Sequence, residues 1–136
     1  MCTEREDAVE REGNVPCHIK SRKKDDILFI EARGKRSLQA VLDITEHAFN
    51  ACKEHGIKKA IVDIQKLEGK LSTLDAYEIP ATHYDQYRDR SILEKAAIID
   101  SKEHVQSYTF FENVAVNRGY QIRFFNYVKD ALEWLK

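Results

Sequence analysis

Tyr120–Phe125 (YQIRFF) runs directly into Asn126–Lys136 (NYVKDALEWLK), a β-rich run followed by a segment of helical period. The same succession occurs three more times upstream. Ile27–Ala32 (ILFIEA) leads into a helix opening at Ser37, Ala60–Ile64 (AIVDI) into one opening at Ser72 or Thr73, and Lys95–Asp100 (KAAIID) into one opening at Ser101. Strands that repeatedly feed helices predict a parallel sheet covered by helices. In such sheets the loops at the carboxyl ends of the strands are where ligands and partners bind. Those loops carry no catalytic or metal motif, so the residues alone specify an α/β domain and a place to look for function.

The helical segments carry their own punctuation. Ser37 is an N-cap, and Leu38, Val41, Leu42, Thr45, Ala48, Phe49 and Cys52 follow the helical period as one buried stripe. Gly56 suits the left-handed closing position. Ser72 or Thr73 caps the second helix with Asp75 in its first turn, and Pro80 should kink or split it. Gln65–Leu71 (QKLEGKL) reads as the longest loop. Ser101 caps the third helix, with Val105, Tyr108, Phe111, Val114 and Ala115 facing inward and Gly119 closing it. Asn126 caps the last helix, which buries Val128, Ala131, Leu132 and Leu135. Ahead of the first helix, Cys17–Ser21 and Ile27–Ala32 joined by the polar Arg22–Asp26 (RKKDD) predict a hairpin. Residues 1–14 are charged and poor in apolar positions. They read as a tail ahead of a single domain over 15–136.

Composition sets bounds on function. The net charge is −1 over 136 residues, so whole-chain electrostatics favour neither nucleic acid nor an anionic membrane. No apolar run approaches a membrane span, and the charged N-terminal residues lack the apolar stretch of a secretory signal. Cys2, Cys17 and Cys52 are odd in number and lack CxxC spacing, which reads as free thiols in a reducing cytoplasm.

Candidate sites are few. The histidines are scattered, and none pairs with Cys, His or carboxylate at metal-site spacing, so no metal or cofactor is expected. No GxSxG elbow is present. Gly34-Lys35-Arg36-Ser37 places two cations before a helix N-terminus, which makes Lys35, Arg36 and Ser37 a candidate anion site. A solvated turn with a Ser cap explains the same residues. Asp63 and Asp100 lie at or near strand ends. A phosphoacceptor Asp needs acidic partners for magnesium, and Asp25 and Asp26 precede the first long strand rather than follow it. Ser72 and Thr73 put a hydroxyl at a helix N-terminus, where a phosphate is tolerated and where a plain N-cap would look the same.

The order hairpin, helix, strand, helix, strand, helix, strand, helix resembles the STAS domain of the bacterial anti-sigma-factor antagonists. Ala60–Tyr77 and Phe111–Leu135, the latter with Asn117-Arg118-Gly119 and Ala131-Leu132-x-Trp134-Leu135, look like its SpoIIAA-like branch. The resemblance covers Cys17 to Leu135 and rests on packing motifs. It implies a mixed, mainly parallel sheet of about five strands, with Cys17–Ser21 antiparallel at an edge. It also implies a non-enzymatic regulatory domain with a protein partner, whose phosphoacceptor and docking surface fall on Leu71, Ser72, Thr73 and Leu74. The family pattern has Asp just before the hydroxyl and Gly soon after. Here Leu71 precedes Ser72 and Leu74 follows Thr73, which implies a degenerate phosphoswitch. The same branch is similar in fold to lipid-transfer domains. The alternative is therefore a binder of a small apolar or lipid-like molecule, its pocket lined by Tyr77, Tyr84, Tyr87 and Phe111. Those aromatics filling an ordinary core would read the same.

Overall fold

The computed structural model describes residues 3–9, 17–87, 89 and 91–136. The strands are β1 (Thr3–Val9), β2 (Cys17–Lys24), β3 (Ile27–Lys35), β4 (Lys59–Glu68), β5 (Lys95–Ile99) and β6 (Ile122–Phe125). The helices are α1 (Leu38–His55), α2 (Thr73–Ala81), α3 (Val105–Asn117) and α4 (Val128–Leu135), with 3₁₀ turns at His83–Tyr87 and Lys102–His104. The sheet is mixed and its strands lie in chain order. β1, β2 and β3 pair antiparallel, while β3, β4, β5 and β6 pair parallel.

The five expected strands are all present, and Ala60–Ile64 lies inside the sheet between β3 and β5. Thr3–Val9 adds a strand within the segment read as a tail. β1 therefore takes the edge expected for Cys17–Ser21, and β2 stands inside the sheet. The remainder of that segment, residues 1, 2 and 10–14, lies outside the described residues. The hairpin turn is tighter than RKKDD suggests. Only Asp25 and Asp26 form it, both with positive φ (52° and 62°), a conformation that matches the twist of the flanking strands and that short polar side chains tolerate.

Sequential strands linked by crossovers of one hand put their helices on one face of a sheet. Leu28, Ile30, Ala32, Ala60 and Val62 accordingly pack with Ala40, Ile44, Ala48 and Cys52 of α1. Ile122, Ala96 and Ile98 pack with Ile79 of α2 and with Phe111 and Ala115 of α3. α4 follows the last strand and covers the other face, where Ala131 and Leu135 pack on Ile61, Ala97 and Ile99. Alternate residues of β4 and β5 thus serve two different cores.

The helix punctuation holds at α1: Ser37 Oγ accepts from Ala40 N, and Gly56 closes the helix with φ 67°. α1 is buried in two directions rather than along one stripe. Ala40, Ile44, Ala48 and Cys52 turn to the sheet, and Leu38, Val41 and Leu42 turn toward α2 and α3. α2 stops one residue after Pro80 and is followed by the His83–Tyr87 3₁₀ turn, so the helix is split near the proline. Gln65–Glu68 is strand rather than loop. Past an irregularity between Glu31 and Arg33, Arg33, Gly34 and Lys35 pair with Lys66, Leu67 and Glu68, and Leu67 is buried. On α3, Phe111 and Ala115 are buried while Val105 is exposed. On α4, Ala131 and Leu135 are buried but Val128 and Leu132 are exposed, because a single short helix over a sheet needs only one narrow stripe. Tyr127 rather than Asn126 occupies its N-cap position. No helix of the described residues is long and apolar enough to cross a membrane.

Candidate functional site

At the carboxyl ends of the parallel strands, charge is buried. Arg36 leaves the end of β3 and turns inward, where its guanidinium meets Asp100 at the end of β5. Nη1 donates to Asp100 Oδ2 and Nη2 to Oδ1, each at 3.1 Å. Nη2 also donates to Ile64 O (3.2 Å) and Leu67 O (3.3 Å) of β4. The side chains are 5% and 1% exposed. Backbone contacts extend the cluster: Arg36 N donates to Glu68 O at 2.6 Å, and Ser101 N to Asp100 Oδ1 at 2.9 Å. The Asn126 amide donates to Asp100 O (2.9 Å), which brings the end of β6 into the same knot, and lies 3.2 Å from Tyr108 Oη. The ion pair thus links β3, β4 and β5, and the Asp100 carbonyl adds the end of β6. Arg36 Nε is buried and has no acceptor.

Next to this cluster is a cavity of about 110 Å³ between the sheet, α1, the His83–Tyr87 turn and α3. Val41, Ile44 and Thr45 of α1 form one wall, and Val62, Ile64, Ala96, Ile98, Ile122 and Phe124 form the sheet floor. Tyr84, Tyr87, Phe111 and Tyr120 supply aromatic walls, and Arg36 and Asp100 line one part. The burial of β5 records the cavity directly. Ala97 and Ile99, under α4, are fully buried, while Ala96 and Ile98 on the opposite face remain only half-buried although helices cover that face too. The lining includes the exposed Gln121.

Two of the wall hydroxyls are bonded to each other. Tyr84 Oη and Thr45 Oγ1 share a 3.2 Å hydrogen bond, and Thr45 Oγ1 donates to Val41 O at 2.8 Å. Burial pushes the Tyr84 hydroxyl up to about 12. Tyr84 also packs edge-on against Tyr87, Phe111 and Tyr120 with centroids 5.7–6.4 Å apart, the T-shaped arrangement that aromatic quadrupoles favour.

Tyr84, Tyr87 and Phe111 of the expected pocket line this cavity, but Tyr77 does not. Tyr77 is 43% exposed and stacks on Phe110 outside it. The Lys35, Arg36 and Ser37 trio is divided. Lys35 is exposed, Arg36 is neutralised by Asp100, and Ser37 caps α1. Asp100 is likewise occupied by Arg36. Ser72 is exposed and caps α2 by accepting from Asp75 N at 3.0 Å. Leu71 turns to the cavity, while Thr73 and Leu74 stay at the surface, Leu74 at 62% exposure. No group of three or more His, Cys, Asp or Glu among the described residues could hold a metal ion.

The sequence reading missed the Arg36–Asp100 pair and the part played by α1. The available signal was a charge at the end of each of two apolar parallel strands, since such ends converge on one edge of the sheet. The chain and its fold give no significant match to a family model, a curated protein or a solved structure.

Proposed function

We propose that this chain is a non-catalytic binding domain of STAS-like fold that takes up a small apolar molecule between its sheet, α1 and α3. The observation that carries this reading is the cavity itself, apolar on most of its walls and left open above Ala96 and Ile98 of β5. Interiors pack to near-crystal density, so an unfilled apolar space of this kind forfeits dispersion contacts that a ligand restores. Its size bounds the guest. At about 110 Å³, against roughly 150 Å³ for an apolar cavity that admits benzene, the space holds at most one small ring and not an acyl chain. The STAS-like part is supported by the order of elements and by α4 lying alone on the second face. Among the described lining residues nothing resembles a nucleophile–base pair, and of the two carboxylates there, Asp100 is already neutralised by Arg36.

Thermal melting with toluene tests the reading. A molecule that binds only the folded chain raises its midpoint by mass action. The wild type should gain several degrees at saturation, and Ala96→Leu, which fills the space, should melt at or above wild type and gain nothing. A wild-type midpoint unmoved by toluene contradicts the proposal.

A regulatory docking surface is the second reading, and one observation favours it. Leu74, Tyr77 and Phe110 form an exposed apolar patch beside the Ser72 cap. A phosphate on Ser72 would be compatible with the helix N-terminus yet would have to be desolvated by a partner seated on Leu74.

A further inference from the structure

Among the described residues, the charged lining of the cavity consists of Arg36, Asp100 and Glu94. Arg36 and Asp100 neutralise each other, which leaves no free cation among the described lining residues. The pair is nonetheless incompletely spent. A guanidinium has five N–H donors. Nη2 is divided among Asp100 Oδ1, Ile64 O and Leu67 O, Nη1 makes a single contact to Asp100 Oδ2, and Nε makes none. Nε–H and one Nη1–H are therefore left over. On Asp100, Oδ1 accepts from both Nη2 and Ser101 N, whereas Oδ2 accepts only from Nη1. Arg36 and Asp100 both line the cavity, so this cluster puts a spare Nη1–H and the less-used Oδ2 beside an apolar space, while Nε–H is sealed away.

A buried donor without an acceptor is costly, and a pure hydrocarbon guest would leave it so. A carboxylate or phosphate guest would satisfy the donors. It would also bring a new negative charge beside a pair that is already neutral, and give up its own hydration to do so. A neutral oxygen meets both requirements. We propose that the ligand of this cavity is a neutral molecule of about one ring, bearing a single carbonyl or hydroxyl oxygen that sits against Arg36 and Asp100. This rests on the cavity being a ligand site. The apolar body lies among Ile44, Val62, Ile98 and Phe111. Its oxygen accepts from the spare Nη1–H. A hydroxyl guest donates in addition to Asp100 Oδ2.

Calorimetric titration of the full chain with toluene, benzyl alcohol, acetophenone and benzoate tests this. Hydrophobic transfer alone favours toluene, so the order of affinities is diagnostic. Benzyl alcohol and acetophenone should each bind at least about tenfold tighter than toluene, and benzoate more weakly than toluene. In the double variant Arg36→Met/Asp100→Leu toluene should lead. Should that variant fail to fold, the wild-type order stands as the test. Toluene equal to or tighter than the oxygenated neutrals in the wild type overturns the polar seat while the cavity reading survives. Benzoate as the tightest guest overturns the neutral-ligand assignment. No heat from any of the four, with no competition among them, overturns the cavity reading and this inference with it.

Discussion

Arg36 and Asp100, 64 positions apart in the chain, meet end-on through two 3.1 Å hydrogen bonds in the interior. Each is poorly explained without the other. A lone buried charge is strongly unfavourable, whereas a bidentate pair returns much of the desolvation cost. Asp100→Ala should therefore destabilise the chain by about 3–5 kcal/mol in urea unfolding. The double variant Arg36→Met/Asp100→Leu should recover most of that loss. Additive losses in the double variant would show that the pair is not coupled.

Tyr84 gives the fold an alkaline limit. Its hydroxyl ordinarily titrates near 10, and burial raises it to about 12 in the folded chain. The folded state thus holds a proton that the unfolded state releases. This stability is complete below pH 10 and falls as pH rises from 10 toward 12, by about 2–3 kcal/mol for a shift of that size. Tyr84→Phe should flatten this part of the profile. Equal slopes for the two proteins between pH 9.5 and 11 would contradict the assignment, because the unfolded Tyr begins to titrate in that range.

The thiols of Cys17 and Cys52 should be inert in the folded chain. Both are buried, and burial raises both pKa values, that of Cys52 to about 12. Thiolate is the reactive form, so alkylation at neutral pH should require unfolding. Mass spectrometry after iodoacetamide treatment, with and without urea, checks this. Rapid labelling of Cys52 without urea would show a more accessible site.

Ser72 can be tested as a cap. Its Oγ accepts from Asp75 N, and aspartate performs the same role. Ser72→Asp should melt near wild type, and Ser72→Ala should cost about 1 kcal/mol. A destabilising Asp and a neutral Ala would remove both the cap and the tolerance for phosphate on which the docking reading depends.

Trp134 packs on Phe125 with centroids 5.8 Å apart, and Lys95 Nζ lies 5.2 Å from its ring. The ring is only half-buried. Trp134→Ala should therefore cost less than the roughly 3–5 kcal/mol of a fully buried Trp, and Leu135→Ala, at a fully buried position, about 2–5 kcal/mol. Thermal or urea unfolding of the two variants reads this order, and Trp134→Ala as the costlier change would reverse it.

Much of the architecture was legible because local chemistry and global path agree. Strands such as AIVDI are apolar on both faces because two layers cover them, and Ser37, Gly56 and Pro80 act where their backbone properties demand. The extension of β4 to Glu68 was not legible. Gln65–Glu68 looks like a polar loop, and only pairing with Arg33–Lys35 past a register shift makes it strand. Asn126 looked like a cap, but its amide goes to Asp100 O, a contact set by tertiary structure. At the site, aromatic residues near the split second helix pointed to Tyr84, Tyr87 and Phe111. Period alone could not turn Tyr77 outward, nor bring Arg36 to Asp100 across the sheet edge.

The most direct test is a map of contacts from bound toluene by intermolecular NOEs to assigned methyl groups. The account predicts contacts to Val41, Ile44, Val62 and Ile98, and none to Ile61 or Ile99 beneath α4. Contacts confined to Leu74 on the outer patch, or none under conditions where toluene is in excess, would contradict it.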